Sequence, residues 1–374
     1  MEIIIKEVKT KSDLRQFIHL PKKIHKNHKN WVPPIYMDEW DYFNPKKNRS
    51  FDHCDHILLL ALKEGKVVGR CMGLIHHDYN KLKNEKSGRF SNIETWEDPE
   101  VFHALISYVE KWAKERGMEK LIGPFAFSDK DPQGFLFEGF DEPHVIASNC
   151  NFPYLVDYIV KEGYTKIVDL FDCKIIIPDE LPEIYHKVVE RFHRNNSNLK
   201  VLEFTSRAKV RPFIRPVLTL FNETFGDIFG AIPFTDKEMD DFANRYLYLI
   251  NPAYVKIVSN EKDEIIGCAI GMSDIGKGIQ KAKGYLLPFG FIPILTAGKK
   301  SKQLNLLLGT IDPRYQGRGV DVLMAIKMIE SARKAGKKVA DSHLELETNL
   351  RARAEMERLG GIPYKKFRLF EKVL

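Results

Sequence analysis

The chain has 374 residues, more than one hydrophobic core normally supports, so two domains are the first expectation. Its 44% hydrophobic and 29% charged content is that of a soluble globular protein and excludes collagen, coiled-coil and disordered-polymer classes. The net charge of +7, from 58 Lys and Arg against 51 Asp and Glu, is a mild excess that favours anionic ligands without singling out nucleic acid.

The opening run M-E-I-I-I-K-E-V carries acids and does not read as a signal peptide. His53-Cys54-Asp55-His56 is too compressed for a zinc site and reads as a turn before a strand, so no metal is expected. Ile57 to Arg70 reads as a hairpin, strand–turn–strand. Val101 to Gly117 reads as a helix with Val101, Leu105, Ile106, Val109 and Trp112 on one face and Gly117 just past its end. The segment Gly123 to His144 is rich in Phe, Gly, Pro and acids, and either walls a pocket or packs against the other half. A helix opening near Asn151 and ending at Gly163 leads into the alternating strand T-K-I-V-D-L-F-D-C-K-I. The Pro-rich stretch Pro178 to Pro182 then marks a boundary, giving domains 1–178 and 179–374.

The second half repeats the plan. Ala253 to Cys268 reads as a hairpin, a helix closes at Gly336, and Asn349 to Gly361 is a helix leading to a last alternating strand. The pairs Gly69/Gly267, Asn151/Asn349 and Gly163/Gly361 are each 198 residues apart, whereas Gly117 and Gly336 are 219 apart (336−117), so the halves share a plan with insertions in different places and the constant offset is partly coincidence. The longest apolar run, starting at Tyr285, is broken by two prolines and two glycines and is too short to span a bilayer, so no membrane partner is expected. Five widely spaced cysteines without a C-x-x-C pair indicate no disulfide framework, and a cytoplasmic setting is expected.

The informative stretch is R-Y-Q-G-R-G-V, Arg314 to Val320, between the apolar strand L-N-L-L-L-G-T-I and an amphipathic helix. It places two glycines where the first helical N–H groups lack partners and the helix dipole is positive, a setting suited to a phosphate. Residue 322 is Val, so G-x-G-x-x-G fails, and no P-loop is present. The aligned stretch of the first half, E-T-W-E-D-P-E, fills the same place with carboxylates that would repel a pyrophosphate.

Arg314-x-x-Gly317-x-Gly319 resembles the Arg/Gln-x-x-Gly-x-Gly/Ala signature of the GCN5-related N-acetyltransferase (GNAT) superfamily, and the order of elements from Leu304 to the end is similar. The resemblance implies an α/β (α+β) fold of two tandem GNAT-like units of bacterial type, with mixed, mostly antiparallel sheets flanked by helices. It implies acetyl-CoA as co-substrate, held in the second half by Ile311, Asp312, Arg314, Gln316, Gly317, Arg318, Gly319 and Val320. Asn349 is a helix cap or, by the resemblance, a contact to the pantetheine arm. The implied activity is transfer of an acetyl group to a small-molecule or peptide amine. One departure stands out: the tyrosine that often protonates the leaving thiolate is here Met356, which has no proton to give. Read as one strand, V-A-D-S-H-L-E-L-E-T puts Asp341, His343, Glu345 and Glu347 on one face, and Glu345 and Glu347 are the candidate proton acceptors. A solvated face, or pairing with Lys365, Lys366 and Arg368, is the structural alternative. Two other functions compete: transfer from an acyl-carrier protein or aminoacyl-tRNA, with tRNA then a partner, and a non-catalytic CoA or metabolite binder. DNA binding is not expected.

Overall fold

A computed structural model of the chain describes residues 2–181, 183–195, 198–226, 228–247 and 250–374, so Pro182 of the boundary stretch lies outside the described residues. The first half runs β1 (Ile3–Glu7), α1 (Lys11–Ile24), α2 (Tyr36–Tyr42), β2 (Cys54–Lys63), β3 (Lys66–His76), α3 (His77–Lys83), β4 (Ser87–Thr95), α4 (Pro99–Lys114), β5 (Lys120–Gly123), β6 (Phe135–Glu138), α5 (Tyr154–Lys161) and β7 (Thr165–Ile176). The second half runs α6 (Glu183–Asn195), β8 (Lys200–Glu203), α7 (Arg207–Val210), α8 (Ile214–Thr224), α9 (Asp236–Tyr246), β9 (Val255–Ser259), β10 (Ile265–Ser273), α10 (Gly276–Ala282), α11 (Phe291–Lys300), β11 (Gln303–Ile311), α12 (Val320–Lys334), β12 (Val339–Asp341), β13 (Glu345–Leu346), α13 (Leu350–Arg358) and β14 (Ile362–Val373).

Local chemistry sets these elements. Thr10 and Asp13 form a reciprocal capping box at the start of α1, with Asp13 N–H to Thr10 Oγ1 at 3.1 Å and Thr10 N–H to Asp13 Oδ2 at 3.2 Å. α4 starts at a capped Asp98 followed by Pro99, and its predicted apolar face is buried against β3 and β4. Gly117 and Gly336 follow their helices with φ of +77° and +70°, the left-handed conformation that stops a helix.

All strands join one sheet, in the order β1-β2-β3-β4-β5-β14-β7-β12-β11-β10-β9-β8, with β6 beside β14 and β13 beside β7. Two pairs are parallel, β4 with β5 and β11 with β12, each joined through a crossover helix, α4 or α12. The other pairs are antiparallel. At the centre the halves trade strands. β14, from the end of the chain, pairs with β5 of the first half, Phe370 opposite Gly123. β7, the last strand of the first half, pairs with β12 of the second, Ala340 opposite Ile175.

In each half the parallel pair parts after three residues. β4 leaves β5 after Arg89 and Ile122, and β11 leaves β12 after Asn305 and Asp341. The longer strand continues towards the start of its crossover helix, so each half has a wedge where one strand edge lacks its parallel partner. The Phe-rich segment after Gly123 packs inward: Phe125, Phe127 and Phe135 are buried, and Phe125 meets Phe229 of the second half.

One expectation is corrected here. The stretch from Val339 to Thr348 is not a single strand. It breaks between β12 and β13, where His343 takes φ +60° and Ser342 bonds both ways with the Cys173 backbone, at 2.9 Å each. The break ends the alternation, so Asp341, His343, Glu345 and Glu347 do not share a face.

Candidate functional site

β11 ends at Ile311, and Asp312 turns the chain by accepting from the Arg314 N–H at 2.8 Å. The same carboxylate grips the Arg314 guanidinium, Nε to Oδ1 at 3.0 Å and Nη2 to Oδ2 at 2.5 Å. That bond holds the Asp312 carboxyl below its ordinary value. Gln316 donates from Nε2 to the Ile311 carbonyl at 3.1 Å and accepts from Arg351 through Oε1. Arg318 lies over the Tyr315 ring, and Val320 is fully buried at the helix start. The polar side chains therefore shape the loop, and the glycines free its backbone. Gly317 has φ +74°, and a Cβ built there would meet no atom within 4 Å. Gly319, φ +83°, is the N-cap of α12, and no side chain caps the helix among the described residues. The first N–H groups of α12 are left for an anion, and the open face at Gly317 gives it room. These features suit a phosphate-bearing ligand, which backbone from Gly317 to Val320 could hold. Asn349 accepts from the Ala352 N–H at 3.3 Å as the cap of α13.

A series of interacting carboxylates begins at this loop. Asp321 lies in the first turn of α12, and its charge adds to burial in pushing Glu355 up to about 7. Burial, then the Glu355 carboxylate, pushes Glu345 up to about 8. Glu345 Oε2 is buried with no hydrogen-bond partner among the described residues. Glu347 is differently placed: Lys166 Nζ lies 2.8 Å from Oε2, and the Asp169 N–H donates to Oε1 at 3.0 Å. Deeper, where β12, β7 and β14 adjoin, Asp341 is fully buried and accepts from the Tyr364 hydroxyl. Asp172 of β7 is fully buried too, with neither oxygen hydrogen-bonded among the described residues. Burial and the Asp341 charge raise it well above the carboxylate range, against the attraction of Lys365. Lys365 is itself buried, donates to the Pro143 carbonyl at 2.6 Å, and is lowered by desolvation.

No family model matches the chain. A tandem GNAT protein from the clavulanic acid biosynthesis pathway superposes with a TM-score of 0.58 over 100% of this chain and 98% of that one, at 10% identity. The chain has the tandem GNAT fold. Two curated relatives align along almost the whole length. The protein named "Bacterial ceramide synthase" from Caulobacter vibrioides is 28% identical over 98% of this chain and 96% of its own. "Protein YghO" from Escherichia coli is 27% identical over 99% and 95%.

The two GNAT-like halves treat the same position differently. In the first, Asp98 caps α4, accepting from the N–H groups of Glu100 at 3.2 Å and Val101 at 3.3 Å, and binds Lys63 at 2.7 Å. Its wedge is filled as well. Glu94, near the end of β4, binds Arg70 at 2.7 Å and His25 Nε2 at 3.2 Å. The His25 ring is stacked between Trp31 and Phe152, both at 7° to it. His25, His28 and Cys150 bring metal-capable atoms within 4.8 Å of one another, but the two imidazoles already bond each other through Nδ1 at 2.9 Å.

Sequence reading reached the loop and Glu345. It named Lys365 only as a pairing partner of the acidic strand and did not single out Asp172, Glu355 or Tyr364. Asp172 and Lys365 meet only because β7 and β14 lie side by side, register partners from the middle and the end of the chain. The available signal was a pair of acids, Asp169 and Asp172, among the apolar residues from Ile167 to Cys173 of the strand.

Proposed function

We propose that the chain is an N-acyltransferase that binds an acyl-CoA at the Gly317–Gly319 loop and transfers the acyl group to the primary amine of a long-chain amino alcohol. The observation that carries the first part is the uncapped start of α12 beside an open glycine backbone, at the end of a strand that outruns its parallel partner. The acceptor rests on the near full-length relative named a ceramide synthase, since a ceramide is a long-chain amino alcohol acylated on nitrogen. That acceptor and a fatty acyl donor replace the acetyl group and small amine suggested by the loop signature alone.

A bound thioester supplies an acyl carbon activated towards amines. The chain's own contribution is positioning and proton handling. Loop amides hold the diphosphate, and the free edge of β11 around Gly309 to Ile311 offers backbone groups to the amide-bearing arm. Glu345, with its proton affinity near neutrality, takes the proton that an ammonium must lose before its nitrogen can attack. Met356 packs against the cluster around Ile175 and Tyr254, so the thiolate finds no acid there.

The test uses the purified full chain, acyl-CoAs from two to eighteen carbons, and a saturated long-chain amino alcohol. Mass spectrometry should find the N-acyl product, and a thiol reagent the released CoA, with long chains preferred. Gly317→Glu should abolish both, together with the rise in melting temperature that acyl-CoA induces. A preference for acetyl-CoA would restore the narrower reading. Absence of any CoA binding at millimolar concentration would sink the donor assignment.

A further inference from the structure

α10 and α11 form a helical hairpin inserted between β10 and β11. Its inner side is anchored: Ile279 and Ile294 are buried against Val32 and Ile35 of the first half, and the Tyr36 N–H donates to the Gly284 carbonyl at 3.0 Å. Its tip is not covered. Leu287 is 73% exposed and Phe289 71%, with Phe291, Ile292 and Leu295 also exposed on the following turns. Isolated exposed apolar residues are ordinary, but five large ones within nine residues make a patch that marks a contact surface.

The charge around the patch selects the kind of partner. Residues 275 to 302 contain six lysines, Lys277, Lys281, Lys283, Lys299, Lys300 and Lys302, and no acid. They stand on both sides of the apolar tip in sequence. Exposed cations from the first half continue the surface: Lys22 sits 5.2 Å above the Tyr285 ring. Lys11 and Arg15 line an open groove of about 670 Å³ whose wall includes Tyr285. A protein interface of ordinary composition is depleted in lysine. A lipid surface asks for this combination instead: apolar side chains that reach the acyl boundary, and lysines that meet anionic headgroups.

We infer that the α10–α11 tip docks this protein on the surface of an anionic bilayer, with Leu287 and Phe289 inserted and the flanking lysines at the headgroups. The contact is peripheral: no helix among the described residues is long and apolar enough to cross a membrane. The inference stands on the hairpin and the cations beside it and does not rest on the acyltransfer reading. If that reading also holds, the groove beside Tyr285 lies next to the lipid.

Vesicle co-sedimentation with the full chain tests it. Binding to phosphatidylcholine–phosphatidylglycerol vesicles is expected, with much less to phosphatidylcholine alone, and reversal by salt. The double change Leu287→Ser and Phe289→Ser should lower partitioning at least about tenfold, the order set by burial of two such side chains. Lys299→Gln with Lys300→Gln should weaken binding to the anionic vesicles only. Both variants should keep the wild-type melting temperature and its rise with acyl-CoA, because neither touches the core or the loop. Vesicle binding that survives the serine substitutions overturns the proposal. So does a stable dimer in light scattering that the serine variant converts to monomer while wild type ignores vesicles, since the patch would then cover a second copy.

Discussion

At the scale of residues, Glu345 and Glu347 show how context divides two similar side chains. Glu347 is an acceptor for a lysine and a backbone N–H, which hold its carboxylate in place. Glu345 is half-buried near Glu355 and is pushed up to about 8, so near neutrality it exchanges a proton readily. If it is the general base, kcat/KM should rise about tenfold per pH unit below that value and level off above it. Glu345→Gln should lower kcat by about 10²- to 10⁴-fold, leave acyl-CoA binding intact and remove that limb of the pH profile. Stability gives an independent reading. A carboxyl raised in the folded state contributes stability in full below its ordinary value of 4.5, and that contribution is lost as pH rises towards 8. The melting temperature of Glu345→Gln relative to wild type should therefore climb between pH 5 and 9. A flat difference would place the residue's titration elsewhere.

At the scale of elements, the two crossover helices make a controlled contrast. α4 and α12 both follow the longer strand of a parallel pair, yet one start is closed by Asp98 and the other left open at Gly319. The closed start is a device for stability. Asp98→Ala should cost about 1 kcal/mol, visible as a lower denaturant midpoint with an unchanged slope. It should not create a second site, because Glu94, Arg70, His25 and Phe152 still occupy the wedge behind it. Calorimetry on Asp98→Ala with acyl-CoA should still return one site per chain; two would refute this account.

At the scale of the whole molecule, the traded strands decide how the halves depend on each other. β14 forms its longest pairing with β7, and those two strands hold Asp169 against Arg368 at 2.7 Å and Asp172 near Lys365. Separated at residue 178, the first half would lack the strand that covers β5, and the second the strand that covers β12. Each would expose a central edge flanked by apolar faces, a template for aggregation. Residues 1–178 or 179–374 expressed alone should be unfolded or aggregated by circular dichroism and size exclusion, and the two co-expressed should assemble. A folded monomer from either piece would show the exchange to be dispensable.

The sequence by itself determined what is local. The apolar face of α4, the glycines that end helices, the loop at Arg314 to Val320 and the acids opposing it at Asp98 all follow from residue spacing and backbone conformation within a few positions. The duplication was legible because the same turn and helix signals recur in both halves. The tertiary structure decided what depends on long-range pairing. Nothing local states that β14 lies beside β5, because a strand's alternation fixes its two faces and not its neighbour. Hence Asp172 and Tyr364 could not be joined to Asp341 from their spacing. The break at His343, which gave Glu345 and Glu347 different surroundings, likewise depends on Ser342 bonding to Cys173 of the exchanged strand. The same reason applies to the exposed tip at Leu287 and Phe289. Its apolar residues are visible in the sequence, but only the packed fold shows which remain uncovered, because burial belongs to the assembled chain.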